Sequence, residues 1–342
     1  MVVLGPSAVS GFDESLTTIP HEFFHAVQHS CDAYGFQGEG GWYWEATAVW
    51  MEGEVYPEDP QQAVFLFGFA FLPHYELGFY DAFSTGALQE YYQYGAFVFP
   101  RFLSEFVAGP LLVRDSWAES GGETDPLAWL GSALEDQGHD LQDVYGEFAA
   151  RNAFWDYGRR DWYLHYLEHY AEQFPDGSTS FQVNADGSGG WRSPPIETLP
   201  RNLGYNHVLM EAPRMESIEV AFDGDAEGSA GSPVGWAAWL VRETAGEVVY
   251  HPLQLEGGEG RLTIEELDAE RLVLSVIPLS PDAREGEDFA YAYMMDAPEA
   301  PDTGEEEPGG GCGCGERDGK SWLILPLLGI SWTRRSSGAR TR

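Results

Sequence analysis

His21-Glu22-Phe23-Phe24-His25 is the segment whose residue types and spacing are suited to chemistry. On a helix its two histidines stand one turn apart on one face, so both imidazoles can reach a single ion. Zinc takes neutral nitrogen ligands at about 2.0–2.1 Å, and a catalytic zinc site keeps one position open for water. Glu22 follows the first histidine and projects toward the open side, where a carboxylate can take a proton from that water. Glu45 lies 20 positions beyond His25 and opens a second helical stretch, Trp44–Glu52. Two histidines and one carboxylate make a zinc site with an open fourth position. Glu52 comes seven residues after Glu45, on the same helix face. It is placed to accept a hydrogen bond from the free N–H of a ligand histidine; an ordinary solvated carboxylate is the alternative.

The helix that carries the histidines must be buried on one side, and its neighbours Ile19, Phe23, Phe24, Ala26 and Val27 are uncharged. Pro20 is tolerated only in a first turn, which puts the helix start near Thr18 or Ile19. His29 continues the four-residue series but has rotated about 80° from His21 around the helix, so it is expected outside the ligand set. His165 and His169 repeat the spacing without a glutamate after the first histidine, and ordinary partly exposed histidines are expected there. Cys31 reads as a small buried residue.

A histidine pair followed after nineteen residues by a glutamate resembles the gluzincin metallopeptidases. The segment Trp42-Tyr43-Trp44-Glu45-Ala46-Thr47-Ala48 looks like the Trp-x-x-Glu-Gly-x-Ala helix of their aminopeptidase branch. The run from His21 to Pro57 is similar to metalloproteases predicted to be secreted in myxobacterial genomes, and the likeness covers roughly residues 1–170 with a weaker echo beyond. The resemblance implies Zn2+ on His21, His25 and Glu45, Glu22 as general base, and hydrolysis of peptide bonds in a peptide or protein substrate. Tyr92-Gln93-Tyr94-Gly95 resembles the Tyr-x-x-Gly stretch that supplies a transition-state tyrosine in that branch. On that match Tyr92 is the expected oxyanion donor and Tyr94 the reserve; core aromatics are the alternative. Three departures stand out. Pro20 precedes the first histidine, Ala46 replaces the usual glycine, and the Gly-x-Met-Glu-Asn clamp of true aminopeptidases is absent, which speaks against N-terminal trimming.

The expected fold is α+β and multidomain: a helix-rich, gluzincin-like catalytic domain followed by an antiparallel β-sandwich. Residues 1–175 form the first part, with amphipathic helices at Gln89–Val107, Pro126–Asp136, Leu141–Phe154 and Asp161–Phe174 and a first strand at Val2–Leu4. Residues 176–195 are Gly/Ser/Pro-rich and read as a linker. Residues 196–298 hold about seven short strands bounded by turn residues: Asn206–Glu211, Ser217–Phe222, Gly235–Glu243, Val248–Leu255, Arg261–Ile264, Arg271–Pro278 and Phe289–Met294. Asp223, Asp225 and Glu227 lack the ligand spacing of a calcium-binding hand and read as an acidic turn.

Residues 299–342 form an acidic Gly/Pro linker and a tail with Cys312 and Cys314, an apolar run from Trp322 to Trp332, and Arg334-Arg335. Eleven helical residues cover only about 17 Å, too short for a permanent span. The tail resembles the Cys-containing sorting signals of myxobacterial surface proteins, which implies contact with the membrane only through a processed tail; a frayed low-complexity terminus is the alternative. The protein is therefore expected to be secreted or held at the cell surface. The start, Met1-Val-Val-Leu-Gly-Pro, reads as a strand entered in the middle, so a missing leader is expected, with a leaderless cytosolic hydrolase as the weaker reading. With 56 acidic and 18 basic residues, the net charge of -38 repels phosphate backbones and excludes nucleic acid as a partner. The competing function is a non-catalytic surface-binding or adhesion protein derived from a metallopeptidase.

Overall fold

The computed structural model describes residues 16–36, 38, 40–81, 87–173, 181–182, 190–210 and 214–296. The expected strand at Val2–Leu4 and the tail beyond residue 296 lie outside them.

The helices come first: α1 (Thr18–Cys31), α2 (Gly41–Val55), α3 (Gln61–Phe71), α4 (Ala87–Gly95), α5 (Val98–Phe102), α6 (Pro110–Ala118), α7 (Pro126–Asp136), α8 (Leu141–Asn152) and α9 (Arg160–Gln173). Helix α1 begins where Pro20 requires it to. Helices α7 and α8 start on Asp125 and Asp140, whose side chains accept from Leu127 N–H and Gln142 N–H at 2.8 Å each. The helix expected over Gln89–Val107 is interrupted at Ala96 and Phe97 and ends in a π-helical turn, Leu103–Val107, closed by Ala108 N–H on the Leu103 carbonyl at 3.0 Å. Pro100 explains part of this, because it has no N–H to give and fits only in the first turn of α5. Helix α3 carries no amphipathic period, since Ala63, Leu66, Phe67, Phe69 and Ala70 bury it on several sides.

Helix α2 lies at the centre of this half. Trp42, Tyr43, Trp44, Ala46, Ala48, Val49 and Trp50 are all buried, so up to its last turn it has no solvent face. Its buried polar side chains are Glu45, Thr47 and Glu52.

Seven of the strands follow the expected pattern: β2 (Asn206–Met210), β3 (Arg214–Gly224), β4 (Gly235–Thr244), β5 (Glu247–Pro252), β6 (Glu259–Asp268), β7 (Arg271–Leu279) and β8 (Tyr291–Asp296). They form a five-stranded sheet, β1-β2-β7-β4-β5, and a three-stranded sheet, β6-β3-β8. The short β1 (Phe181–Gln182) pairs parallel with β2, while every other pairing is antiparallel. Val208, Val220, Phe222, Trp236, Leu240, Leu274 and Val276 fill the space between the sheets.

The stretch read as a linker contributes β1, and Arg192 bridges to Tyr293 with mutual backbone hydrogen bonds of 2.8 Å. Helix and sheet halves share packing. Ala150 and Phe154 from the α8 end meet Val241 and Val273 on the outer face of the large sheet. Leu272 to Ile277 are consequently buried without a break, as in a strand covered on both faces. The described helices and strands belong to one compact unit. No single described helix is long and apolar enough to cross a membrane.

Helices α3 and α4 approach closely through glycine. A Cβ on Gly95 would lie 2.5 Å from the Phe65 carbonyl oxygen and 2.7 Å from Phe69 Cβ. The helix propensity gained by alanine is about 1 kcal/mol, while forcing apart a packed backbone costs about 1–3 kcal/mol. The clash wins, so Gly95→Ala is expected to lower the midpoint of urea unfolding; a higher midpoint at unchanged slope would show that the helices can separate freely.

Candidate metal centre

Helix α1 presents His21 and His25 toward the turn of α2 that carries Glu45. Their ring nitrogens Nε2 stand 3.1 Å apart, and Glu45 Oε2 lies 3.4 Å from the first and 3.6 Å from the second. The other ring nitrogen of each histidine is engaged: His21 Nδ1 with Glu52 Oε1 at 2.7 Å and His25 Nδ1 with Gln28 Oε1 at 2.6 Å. A carboxylate and an amide oxygen only accept, so each Nδ1 donates. Each Nε2 is thereby left facing the Glu45 carboxylate, where it can offer a lone pair to a metal ion or carry a proton. Three potential ligand atoms converge, and such an arrangement is satisfied by a proton or by a metal cation.

The fit can be tested on distances. In a tetrahedral centre with bonds of about 2.0–2.1 Å, ligand atoms are separated by about 3.3–3.4 Å. The observed separations of 3.1, 3.4 and 3.6 Å bracket that value. His21, His25 and Glu45 could therefore hold a metal ion, and among the described residues they are the one such group of three. His29 stands outside it, exposed, with its ring 4.8 Å from that of Trp44. His165 and His169 form no such group, nor do Asp223, Asp225 and Glu227.

The electrostatics favour positive charge at this point. Burial works to lower the His21 pKa, but the hydrogen bonds and charges of Glu45 and Glu52 outweigh it and raise it to about 9. Burial works to raise Glu45, yet His21 and His25 bring it down to about 2. Burial raises Glu52 above the usual carboxylate range against the pull of His21, and its second oxygen is buried without a hydrogen-bond partner.

Of the remaining expected residues, Glu22 is exposed on α1, on the flank beside the histidine pair. Tyr92 is not brought to the centre. It is 1% exposed, and its hydroxyl donates to the Tyr75 carbonyl at 3.1 Å inside the aromatic core. Tyr94, two residues on, is half-buried with its ring 6.4 Å from that of His21. A helix turns about 200° over two residues, so the two tyrosines point in opposite directions and only one can face the metal helix. Burial and the charge of Glu45 push Tyr94 up to about 12. Burial and Glu45 also raise Tyr80. Sequence reasoning missed Gln28 and Tyr80. The signal available for Gln28 was a polar residue on the apolar side of the metal helix, three positions after a ligand.

Fold and site together define a mixed helix and antiparallel-sheet protein with a partly buried two-histidine, one-carboxylate centre that could hold a metal ion. The chain belongs to DUF6055, a family of unknown function, whose model matches residues 5–289. No curated protein matches it. Among solved structures it has a slight likeness to CorA, a surface-associated copper-binding protein of Methylomicrobium album BG8: 6% identity over 35% of this chain and 98% of that one, with a TM-score of 0.20. So slight a likeness carries no argument about fold or metal.

A proton and a metal ion compete for His21. Because its pKa is raised to about 9, the metal-free fold gains stability from that proton below its ordinary value of 6.5 and loses the gain as pH rises through 9. Metal affinity measured by chelator competition is expected to rise about tenfold per pH unit up to that point and then level off. A flat profile between pH 6.5 and 9 would show that no proton leaves His21 when metal binds.

Proposed function

We propose that the chain is a zinc-dependent peptidase, secreted or held at the cell surface. The observation that carries the reading is the convergence of His21 Nε2, His25 Nε2 and Glu45 Oε2, with both Nδ1 atoms held from behind. Imidazole and carboxylate ligands with tetrahedral spacing suit zinc. Support for the surface location comes from the sequence of the tail.

Zinc bound by these residues would supply a Lewis acid that makes water acidic near neutral pH. His21 and His25 keep their lone pairs on the site because Glu52 and Gln28 hold the opposite ring nitrogens. Glu22 takes a proton from the attacking water at its carboxylate and passes it to the amine nitrogen of the leaving peptide. Tyr94, replacing Tyr92 in this role, donates its hydroxyl hydrogen to the oxygen that gains charge on the scissile carbonyl.

Hydrolysis of casein by the metal-loaded protein tests the reading. Glu22→Gln should keep about one zinc per chain and lose about 10²–10⁴-fold in rate. Equal rates in variant and wild type would remove Glu22 from the chemistry. Zinc without any hydrolysis in the wild type would instead support the non-catalytic surface protein.

The tyrosines separate in a second experiment. Tyr94→Phe is expected to lower kcat about 10²-fold with little change in KM. Tyr92→Phe should leave kcat alone and cost about 1 kcal/mol of stability through the lost bond to Tyr75. The reverse pattern would return the donor role to Tyr92.

A further inference from the structure

Gln28 is fully buried in α1, and both ends of its amide are engaged, with the candidate metal centre on one side and α2 on the other. Its Nε2 donates to the Trp44 carbonyl and to Thr47 Oγ1, at 2.9 Å each. The Thr47 hydroxyl hydrogen is committed to the Tyr43 carbonyl at 2.7 Å, so Thr47 Oγ1 can only accept from Gln28. This settles which way the amide faces. Turned over, it would press its oxygen against two acceptors and its NH2 against His25 Nδ1. In the observed orientation Gln28 Oε1 accepts from His25 Nδ1 at 2.6 Å. His25 Nδ1 therefore carries a proton, and Nε2 is the ring nitrogen offered toward Glu45.

The acceptors on α2 are equally telling. Trp44 precedes Glu45 by one residue and Thr47 follows it by two, so the amide grips the very turn that carries the third ligand. We propose that Gln28 is the positioning residue of this centre: one buried amide that selects the ring nitrogen His25 offers and sets the register of α1 against the Glu45 turn. The proposal rests on the reading of His21, His25 and Glu45 as metal ligands. The two histidines are supported unequally. His21 leans on the carboxylate of Glu52, which adds negative charge behind the ring. His25 leans on a neutral amide, which steers the ring without adding charge. A glutamate at position 28 could still accept from His25 but would have no donor for Trp44 and Thr47.

The test is the affinity of the full chain for Zn2+ and Co2+ by chelator competition, with the visible spectrum of the cobalt form. Gln28→Leu and Gln28→Glu are expected to weaken both ions by about 10–100-fold and to alter the cobalt absorption bands, while far-UV circular dichroism stays the same. Thr47→Val should shift affinity in the same direction, and Thr47→Ser, which restores the hydroxyl, should recover it. The threonine pair keeps the test decisive if the Gln28 variants fail to fold. Unchanged affinity and an unchanged cobalt spectrum in Gln28→Leu, or in Thr47→Val, would reduce Gln28 to a packing residue and overturn the proposal. A wild-type chain that takes up neither ion would overturn the metal reading itself, a result distinct from any effect of the variants.

Discussion

A carboxylate inside an apolar helix must be met by donors or positive charge, and Glu45 is the point on which this structure turns. Its helix is enclosed by tryptophan, tyrosine and alanine, so little water reaches it. What faces Glu45 is a pair of imidazoles whose other nitrogens are already committed. The negative charge is thus answered by a proton or a metal ion shared with His21 and His25. The low Glu45 pKa and the high His21 pKa express that one demand from its two sides.

Rigidity of the surroundings keeps the demand local. Tyr34 donates its hydroxyl to the Ser116 carbonyl at 2.7 Å, and Trp44 donates its indole N–H to the Tyr34 carbonyl at 2.9 Å. Trp117 packs against Tyr34, Tyr43 and Trp44 with ring centroids 5.1–5.6 Å apart. Large rings with satisfied polar tips leave the Glu45 turn little freedom to move. Helix α1 is tied to this block through Gln28, so the histidines inherit the position of α2. The sheet half acts at a distance: it buries α8, which packs in turn against the aromatic core behind α4 and α5.

Membership in a family of unknown function leaves the chemistry to be argued from the site. The charge of the whole chain points the same way as the centre, since an excess of 38 negative charges favours cations and repels phosphate. Glu22 is placed differently from the ligands. It is exposed, whereas His21 and His25 are partly buried and Glu45 is buried, so under the proposed reading it has the solvent access a general base needs.

The pairing of His21 with His25 on one helix face, the start of α1 and the seven larger strands could be read from the sequence because each rests on short-range regularity. A four-residue spacing puts two histidines on one helix face, Pro20 confines the first turn, and alternating apolar residues between turn signals mark strands. Helices α3 and α6 escaped this reading: one is apolar nearly all round, and the other begins at a proline that reads equally well as a break. Tertiary structure alone decided the rest. It set the strand order and placed β1 and Arg192 on sheet edges, because edge backbone groups take whatever partner the fold brings to them. It also separated Tyr92 from Tyr94, since a helix sends side chains two residues apart in opposite directions and only packing determines which one meets the core. Gln28 owes its role to a turn of another helix sixteen residues away, a relation between surfaces that no local pattern encodes.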